Sequence, residues 1–213
     1  MGRGFRDYFV CMMAVGPLLL AGTFEGRAAA DDSKICAKES GEVAIEACSR
    51  AIKSGRYKGR DLARQYMYRG VERRAKEEYD LALADYGEAV KIDKKYADVF
   101  YNRCVVYNLK GDYDRALADC SQAVKLGPSP NATAVSSGER LGNDRTNSDY
   151  YSERGFAHLK KNDHDRAIAD LDNAIRLNPD NGRALKSRGL AYQAKGDTAR
   201  ADADFALAKL FGE

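Results

Sequence analysis

The stretch from Ala97 to Pro128 recurs along the chain at a fixed interval, and this recurrence limits what the chain can fold into. It holds two segments in which apolar or small residues return every three or four positions, joined by a polar turn at residues 110–112. That spacing predicts two short amphipathic helices. An alanine near the start of the second helix returns with steps of 34, 51 and 34 residues, at Ala82, Ala116, Ala167 and Ala201. Since the middle step is one period plus 17 residues, the sequence predicts four helical hairpins with one insertion.

Three further columns of residues keep the same steps. Small residues recur in the first helix, at Gly70, Cys104, Gly155 and Gly189, and in the second helix, at Ala89, Ala123, Ala174 and Ala208. A bulky residue opens each repeat, at Tyr66, Phe100, Tyr151 and Leu185. Small residues in facing columns let two antiparallel helices approach to about 8–10 Å, and the bulky residue fills the gap toward the next repeat. Because neither helix could bury its apolar stripe alone, the columns predict stacked hairpins.

These columns resemble the tetratricopeptide repeat (TPR) family. The shared features are the period of 34, an aromatic residue four positions before a glycine, Gly-Asp-Tyr at residues 111–113, and a closing proline at Pro128 and Pro179. The departures are Lys94 in place of a closing proline, His158 in place of a tyrosine, and an arginine in a column that is usually apolar.

The resemblance covers Ala63 to about Leu210 and implies an all-α fold, a right-handed α-solenoid of stacked antiparallel helix pairs. The implied organisation is TPR 1 at residues 63–96, TPR 2 at 97–130, an inserted loop at 131–147, TPR 3 at 148–181, and TPR 4 with the C-terminal end at 182–213. The insertion is rich in Ser, Asn, Gly and Thr and lacks a helical apolar stripe, which is typical of a loop. Such a loop is either tolerated or a contact element at the edge of a groove.

Residues 1–30 do not belong to the repeats. Arg3 and Arg6 precede an apolar run at residues 9–21, and small residues at 28–30 come just before Asp31. This order predicts a secretory signal peptide cleaved after Ala30. An uncleaved anchor is the weaker alternative, because the run is shorter than the roughly 20 residues of a membrane span. The sequence therefore predicts an exported protein, periplasmic or secreted, in a bacterial envelope setting and with no membrane span in the mature chain.

The mature chain would keep four cysteines in an oxidising compartment. Residues 42–52 align with the second helix of a repeat, so residues 31–62 are predicted to be an N-terminal half-repeat cap. We expect a disulfide between Cys36 and Cys48 across its turn, the alternative being two buried free thiols. Cys104 and Cys120 lie on facing helix surfaces and form either a second disulfide or a pair of small core residues. No metal site is predicted, because close C-x-x-C spacing is absent and the chain has only two histidines.

Each repeat also carries an arginine in its first helix and an aspartate sixteen residues later. A constant offset favours a bidentate ion pair that fixes the register of the helices. The alternative is a basic ladder for an acidic ligand. The pairs are Arg69 and Asp85, Arg103 and Asp119, Arg154 and Asp170, and Arg188 and Asp204.

The composition and the motifs of the sequence argue against several classes of function. The net charge of +3 and the lack of a clustered basic face argue against a nucleic-acid partner. No arrangement of residues resembles a catalytic triad, a phosphate-binding loop or a metal-binding histidine pair, so the sequence predicts a protein without catalytic activity or cofactor.

In the TPR family, the first helices of the repeats line a concave groove. By alignment, the resemblance implies an apolar line along this groove at Val71, Val105, Phe156 and Leu190. Charged and polar residues, together with Met67, flank the line: Arg64, Arg74, Asp98, Tyr101, Asn102, Asn108, Ser152, Lys160, Arg183, Lys186 and Gln193. Such a groove suits an extended peptide or a partner helix. Some family members clamp a terminal carboxylate with Lys and Asn, but Met67 and Val71 hold two of those places here and only Asn102 matches.

The predicted function is an exported scaffold that binds a peptide or protein partner. The alternative is a structural protein of the cell envelope that associates with itself. Terminal repeats usually need a polar covering helix. Phe205, Leu210 and Phe211 at the C-terminal end would then contact a partner or a second copy.

Overall fold

The computed structural model describes residues 32–127 and 137–213, and over these residues the chain forms ten α-helices and no strand. The predicted signal peptide lies outside the described residues. The helices are α1 (32–38), α2 (Gly41–Lys53), α3 (Gly59–Ala75), α4 (Tyr79–Ile92), α5 (Ala97–Leu109), α6 (Tyr113–Leu126), α7 (Ser137–Lys160), α8 (His164–Leu177), α9 (Gly182–Ala194) and α10 (Thr198–Leu210).

The helices pair in sequence order. α3 packs on α4, α5 on α6, α7 on α8, and α9 on α10, and the second helix of each pair packs against the first helix of the next. The cap joins this stack through α2, which packs on α3. The predicted all-α solenoid of helical hairpins is therefore confirmed.

The turn between the two helices of each repeat has the same backbone conformation. One residue there has a positive φ, and these residues are Glu77, Gly111, Asn162 and Gly196. In three of the repeats an aspartate then caps the second helix, its side chain accepting a hydrogen bond from the backbone N–H three residues later: Asp112, Asp163 and Asp197. A left-handed residue followed by a side-chain cap ends one helix and starts the next within a few residues.

The alanine columns lie at the centre of each hairpin and are buried, with Ala82, Ala116 and Ala167 fully enclosed. The glycine column of the first helices likewise leaves no room for a side chain. A Cβ atom on Gly189 would lie 2.6 Å from Cε1 of Phe205. Phe205 thus packs on Gly189 within the last hairpin and is only partly exposed, whereas Leu210 and Phe211 are exposed.

The inserted segment differs from its prediction as a loop over residues 131–147. Residues 131–136 lie outside the described residues, whereas α7 begins at Ser137 and continues to Lys160, so residues 137–147 are helical. Adding turns to an existing helix needs no new nucleus, which is the costly step in helix formation. A segment without an apolar stripe can therefore extend a helix whose C-terminal half is already packed.

The cap is held by a disulfide and by several polar contacts to the first repeat. Cys36 of α1 is bonded to Cys48 of α2, with their Cα atoms 4.8 Å apart. The backbone N–H of Gly41 donates to Oε2 of Glu72 (2.6 Å), and Nε2 of Gln65 donates to Oγ of Ser33 (2.9 Å). These hydrogen bonds dock both helices of the cap onto α3.

Candidate functional site

The candidate site is the face formed by the first helices of the four repeats, which we call the groove. α3 packs against α5, α5 against α7, and α7 against α9. The second helices α4, α6, α8 and α10 make no such contacts with one another in the described part of the chain. Since the helices on the inner side of a curved stack lie closest together, the first helices line the concave side.

The predicted groove residues divide into three classes by exposure. Met67, Val105, Asn108 and Ser152 are buried and form the floor rather than a contact surface. Partly exposed residues are Arg64, Val71, Arg74, Asp98, Tyr101, Asn102 and Phe156, and exposed residues are Lys160, Arg183, Lys186, Leu190 and Gln193. The exposed members all lie on α7 and α9, so the accessible part of the groove is in the third and fourth repeats.

An aromatic ring between two cations marks this accessible part. Nζ of Lys160 lies 5.3 Å from the ring centroid of Phe156, and Cζ of Arg183 lies 5.7 Å from it. Such cation–π contacts favour a fixed position of the charged groups. Leu190 is 42% exposed on the neighbouring helix, and Lys186 lies 3.5 Å from the Glu213 carboxylate. The surface thus combines apolar area with several positive charges.

A buried carboxylate lies in the groove floor, and the sequence reasoning missed it. Glu153 is 1% exposed, and its Oε2 accepts a hydrogen bond from Nδ2 of Asn108 (2.9 Å). Its Oε1 pairs with Nη1 of Arg183. The signal that could have found Glu153 is its column, whose other members Tyr68, Asn102 and Ser187 are all uncharged.

The middle of the groove is tied into the core by two tyrosines. The rings of Tyr101 and Tyr150 have centroids 5.1 Å apart, and the hydroxyl of the fully buried Tyr150 donates to Asp98. Burial, followed by the nearby carboxylate of Glu153, raises the pKa of Tyr101 well above its usual value. Asn102 donates from its side chain to the backbone oxygen of Asp98 (2.8 Å). Asp98 and Asn102 of α5 therefore have hydrogen-bond partners within the protein.

The arginine and aspartate columns form a bidentate ion pair in every full repeat, as predicted. In the second repeat, Nε and Nη2 of Arg103 donate to the two carboxylate oxygens of Asp119 at 2.6 and 2.7 Å. The same two-point contact joins Arg69 to Asp85, Arg154 to Asp170, and Arg188 to Asp204. Hydrogen bonding to Asp119 raises the pKa of Arg103. These arginines link the two helices of a hairpin, so they are not a basic ladder for a ligand.

No group of three or more His, Cys, Asp and Glu side chains that could hold a metal ion occurs in residues 32–127 and 137–213. Within the same ranges, no helix combines the length and apolar character that a membrane crossing needs. The described residues do form a concave surface lined by the first helices.

Two family models match the sequence. The model of the tetratricopeptide repeat matches residues 97–130 and 148–181, and a model of the TPR repeat matches residues 70–108. A comparison with curated protein sequences yields no match.

Solved structures share the fold at low sequence identity. A MamA crystal structure is 20% identical, with a TM-score of 0.65, and the match covers 87% of this chain and 92% of that one. MamA from Desulfovibrio magneticus RS-1 is 14% identical, with a TM-score of 0.68, over 88% of this chain and 94% of that one. The first TPR of Spaghetti (RPAP3), bound to the HSP90 peptide SRMEEVD, is 22% identical, with a TM-score of 0.55, over 67% of this chain and 99% of that one.

At these sequence identities the structural matches show the fold alone, whereas the two family models identify the repeats by their sequence. The models and the packing of the helices agree with each other. Residues 70–130 and 148–181 are therefore tetratricopeptide repeats, and the chain folds as a TPR-like helical solenoid.

Proposed function

We propose that this protein is a non-catalytic scaffold that binds an extended peptide or a partner helix in the groove. The observation that carries the proposal is the accessible surface on α7 and α9, where the exposed Leu190 and the partly exposed Phe156 adjoin Lys160 and Lys186. Apolar area beside fixed charges on a concave face suits a segment that presents alternating side chains. A peptide bound to the TPR domain of RPAP3 supports this class of partner.

We further propose that residues 1–30 direct the protein out of the cytoplasm and are removed after Ala30. The residue pattern at the N-terminus and the pairing of four cysteines into two disulfides support this proposal. Expression of the full sequence in a Gram-negative bacterium, followed by osmotic-shock fractionation and N-terminal sequencing, tests it. We expect a periplasmic protein that begins at Asp31. A cytoplasmic protein with an intact N-terminus would contradict export.

The groove is tested by capture of partners on the immobilised mature protein, identified by mass spectrometry. The test variant carries Lys160→Ala, Lys186→Ala and Leu190→Ala, three exposed groove positions. Arg183 and Tyr101 are left unchanged, because Arg183 pairs with the buried Glu153 and Tyr101 packs on Tyr150.

A matched control variant removes two lysines and one leucine that are exposed on the second helices, at Leu81, Lys125 and Lys209. We expect a partner that the wild type and the control retain and that the groove variant loses. Equal retention by the groove variant and the control would place the binding surface elsewhere.

The C-terminal end supports a second candidate, self-association as a structural protein of the envelope. Leu210 is 76% exposed and Phe211 is 43% exposed at the end of α10. Sedimentation velocity over a range of concentrations tests this candidate. Oligomers that disappear in the Leu210→Ser, Phe211→Ser variant would support it, whereas a monomer at every concentration would oppose it.

A further inference from the structure

The groove floor contains a buried charge that the corresponding positions of the other repeats lack. Glu153 is 1% exposed, while Tyr68, Asn102 and Ser187 occupy its column in the other repeats without a charge. Burying a carboxylate is unfavourable unless it is paired and hydrogen-bonded. The partners of Glu153 therefore indicate what the charge does.

One partner comes from the preceding repeat. Nδ2 of Asn108, on α5, donates to Oε2 of Glu153 at 2.9 Å and to the backbone oxygen of Glu153 at 3.1 Å. Because both of these partners are acceptors, they fix which end of the Asn108 amide faces Glu153. Asn108 is itself buried. The carboxylate is thus held in one orientation from the α5 side.

The other partner comes from the following repeat. Nη1 of Arg183, on α9, pairs with Oε1 of Glu153, and the guanidinium lies over the ring of Phe156. The Arg183 side chain is nevertheless 45% exposed. Among the described residues Glu153 is its only ion-pair partner, so the exposed side of the guanidinium is left to contact a ligand.

We propose that Glu153 is a positioning residue of the groove, which together with Asn108 holds Arg183 as a pre-oriented hydrogen-bond donor for an acceptor oxygen of the bound partner. An exposed arginine ordinarily loses rotamer freedom when it binds, and holding it in advance removes much of that loss. The proposal that Arg183 donates to a bound partner rests on the proposed groove function. The proposal that Glu153 and Asn108 hold Arg183 in place does not.

The ordering of Arg183 is tested on the mature protein without any ligand. Arginine side-chain NMR measures the rate of rotation about the Cζ–Nε bond, and Arg183→Lys assigns the Arg183 signal. We expect slow rotation in the wild type and much faster rotation in Glu153→Gln, since the amide would turn a donor toward one of its two donor partners. Equal rates in the two proteins would overturn the proposal.

Two further variants keep this test decisive. Asp172→Asn is the matched control, because Asp172 is an exposed carboxylate that pairs with Arg188, and we expect it to leave the Arg183 signal unchanged. If Glu153→Gln does not fold, Asn108→Ala removes the brace and leaves the ion pair in place. Faster Arg183 rotation is then still expected, and an unchanged rate would contradict the role of Asn108.

The ligand part is tested with a random peptide array probed by the wild type, Glu153→Gln, Arg183→Ala and the double variant. For peptides that the wild type selects, we expect each single variant to bind about tenfold more weakly. The double variant should be no weaker than Arg183→Ala alone, since Glu153 acts through Arg183. Additive losses would overturn the positioning role. An array without any binder would count against the proposed function, while the NMR result would still decide whether Arg183 is held.

Discussion

Cys104 and Cys120 are bonded at the two positions, sixteen residues apart, where the other full repeats pack a glycine against a large side chain. Their Cα atoms lie 5.4 Å apart, and both side chains are fully buried. The equivalent pairs are Gly70 with Tyr86, Gly155 with Leu171, and Gly189 with Phe205. The second repeat therefore closes its hairpin with a covalent bond where the others use apolar packing.

This equivalence predicts that packing can replace the disulfide. The variant Cys104→Ala, Cys120→Ala should lower the free energy of unfolding by about 3 kcal/mol, the effect expected for a closed loop of this size. Cys104→Gly with Cys120→Leu should recover part of that loss, because it recreates the pair of Gly155 and Leu171. Urea denaturation of both variants measures the difference. A Gly/Leu variant less stable than the Ala/Ala variant would show that the two arrangements are not equivalent.

The ion pair of Arg103 and Asp119 gives a second prediction about the same hairpin. Arg103→Leu leaves the Asp119 carboxylate largely buried without its partner, and we expect the free energy of unfolding to fall by about 3 kcal/mol. Removing both charges with Arg103→Leu, Asp119→Leu should be less destabilising, because no unpaired buried charge remains.

Urea denaturation of the two single variants and the double variant gives the coupling energy between Arg103 and Asp119. Arg166→Ala is the control, since Arg166 pairs with Asp163 at the exposed surface. If Arg103→Leu unfolded like the wild type but lost groove ligands, the pair would serve binding rather than stability.

The sequence predicted the contacts that every repeat shares but missed a contact in the groove that occurs once. The alanine column around Ala116, the pair of Arg103 and Asp119, and the turn at Gly111 recur in every full repeat, so each packing requirement leaves several copies of its signature. Glu153 has no counterpart, and its partner Arg183 lies in the next repeat. A contact between two columns in a single copy leaves no periodic signal.

The start of α7 was missed for a related reason. Residues 137–147 carry no apolar stripe, and the helix there continues from the packed turns that follow it. The solvent exposure of the groove residues also could not be predicted from the periodic pattern of the sequence. Val71 and Leu190 occupy the same column of the repeat, yet Leu190 is the more exposed of the two. Exposure depends on the neighbouring helices at each position, and the repeat pattern does not contain this information.

The turn between helices predicts a stabilising substitution at Glu77. Its φ of 62° lies in the left-handed region, where the equivalent residues Gly111 and Gly196 have φ values of 74° and 80°. A residue with a Cβ is strained in this region, so Glu77→Gly should raise the free energy of unfolding by about 0.5–1 kcal/mol. Asn162→Gly should raise it less, since asparagine tolerates this conformation.

Thermal denaturation monitored by circular dichroism measures these changes. Gly111→Ala is the opposite control and should lower the melting temperature, because it introduces the same strain. A lower melting temperature for Glu77→Gly would mean that the Glu77 side chain contributes more than its backbone conformation costs.

The last prediction concerns His158, which stands where TPRs usually have a tyrosine. Burial lowers the pKa of His158 below its ordinary value of 6.5, although the nearby carboxylates of Asp170 and Asp163 act in the opposite direction. The charges of Arg154 and Arg166 add to the lowering. Below pH 6.5 the unfolded chain therefore binds a proton at this site that the folded chain does not yet bind. Stability from this group is full above that pH and declines as the pH falls toward the lowered folded-state pKa.

We expect the free energy of unfolding of the wild type to fall as the pH is lowered through about 6.5, where the unfolded chain takes up the proton, and to go on falling until the lowered folded-state pKa is reached. His158→Phe should remove much of this decline, because phenylalanine fills the site without taking up a proton. Urea denaturation at several pH values measures the effect, and His164→Asn controls for the other histidine of the chain. If His158→Phe declined as steeply as the wild type, the pH dependence would have to arise from the carboxylates, since a buried neutral histidine could no longer account for it.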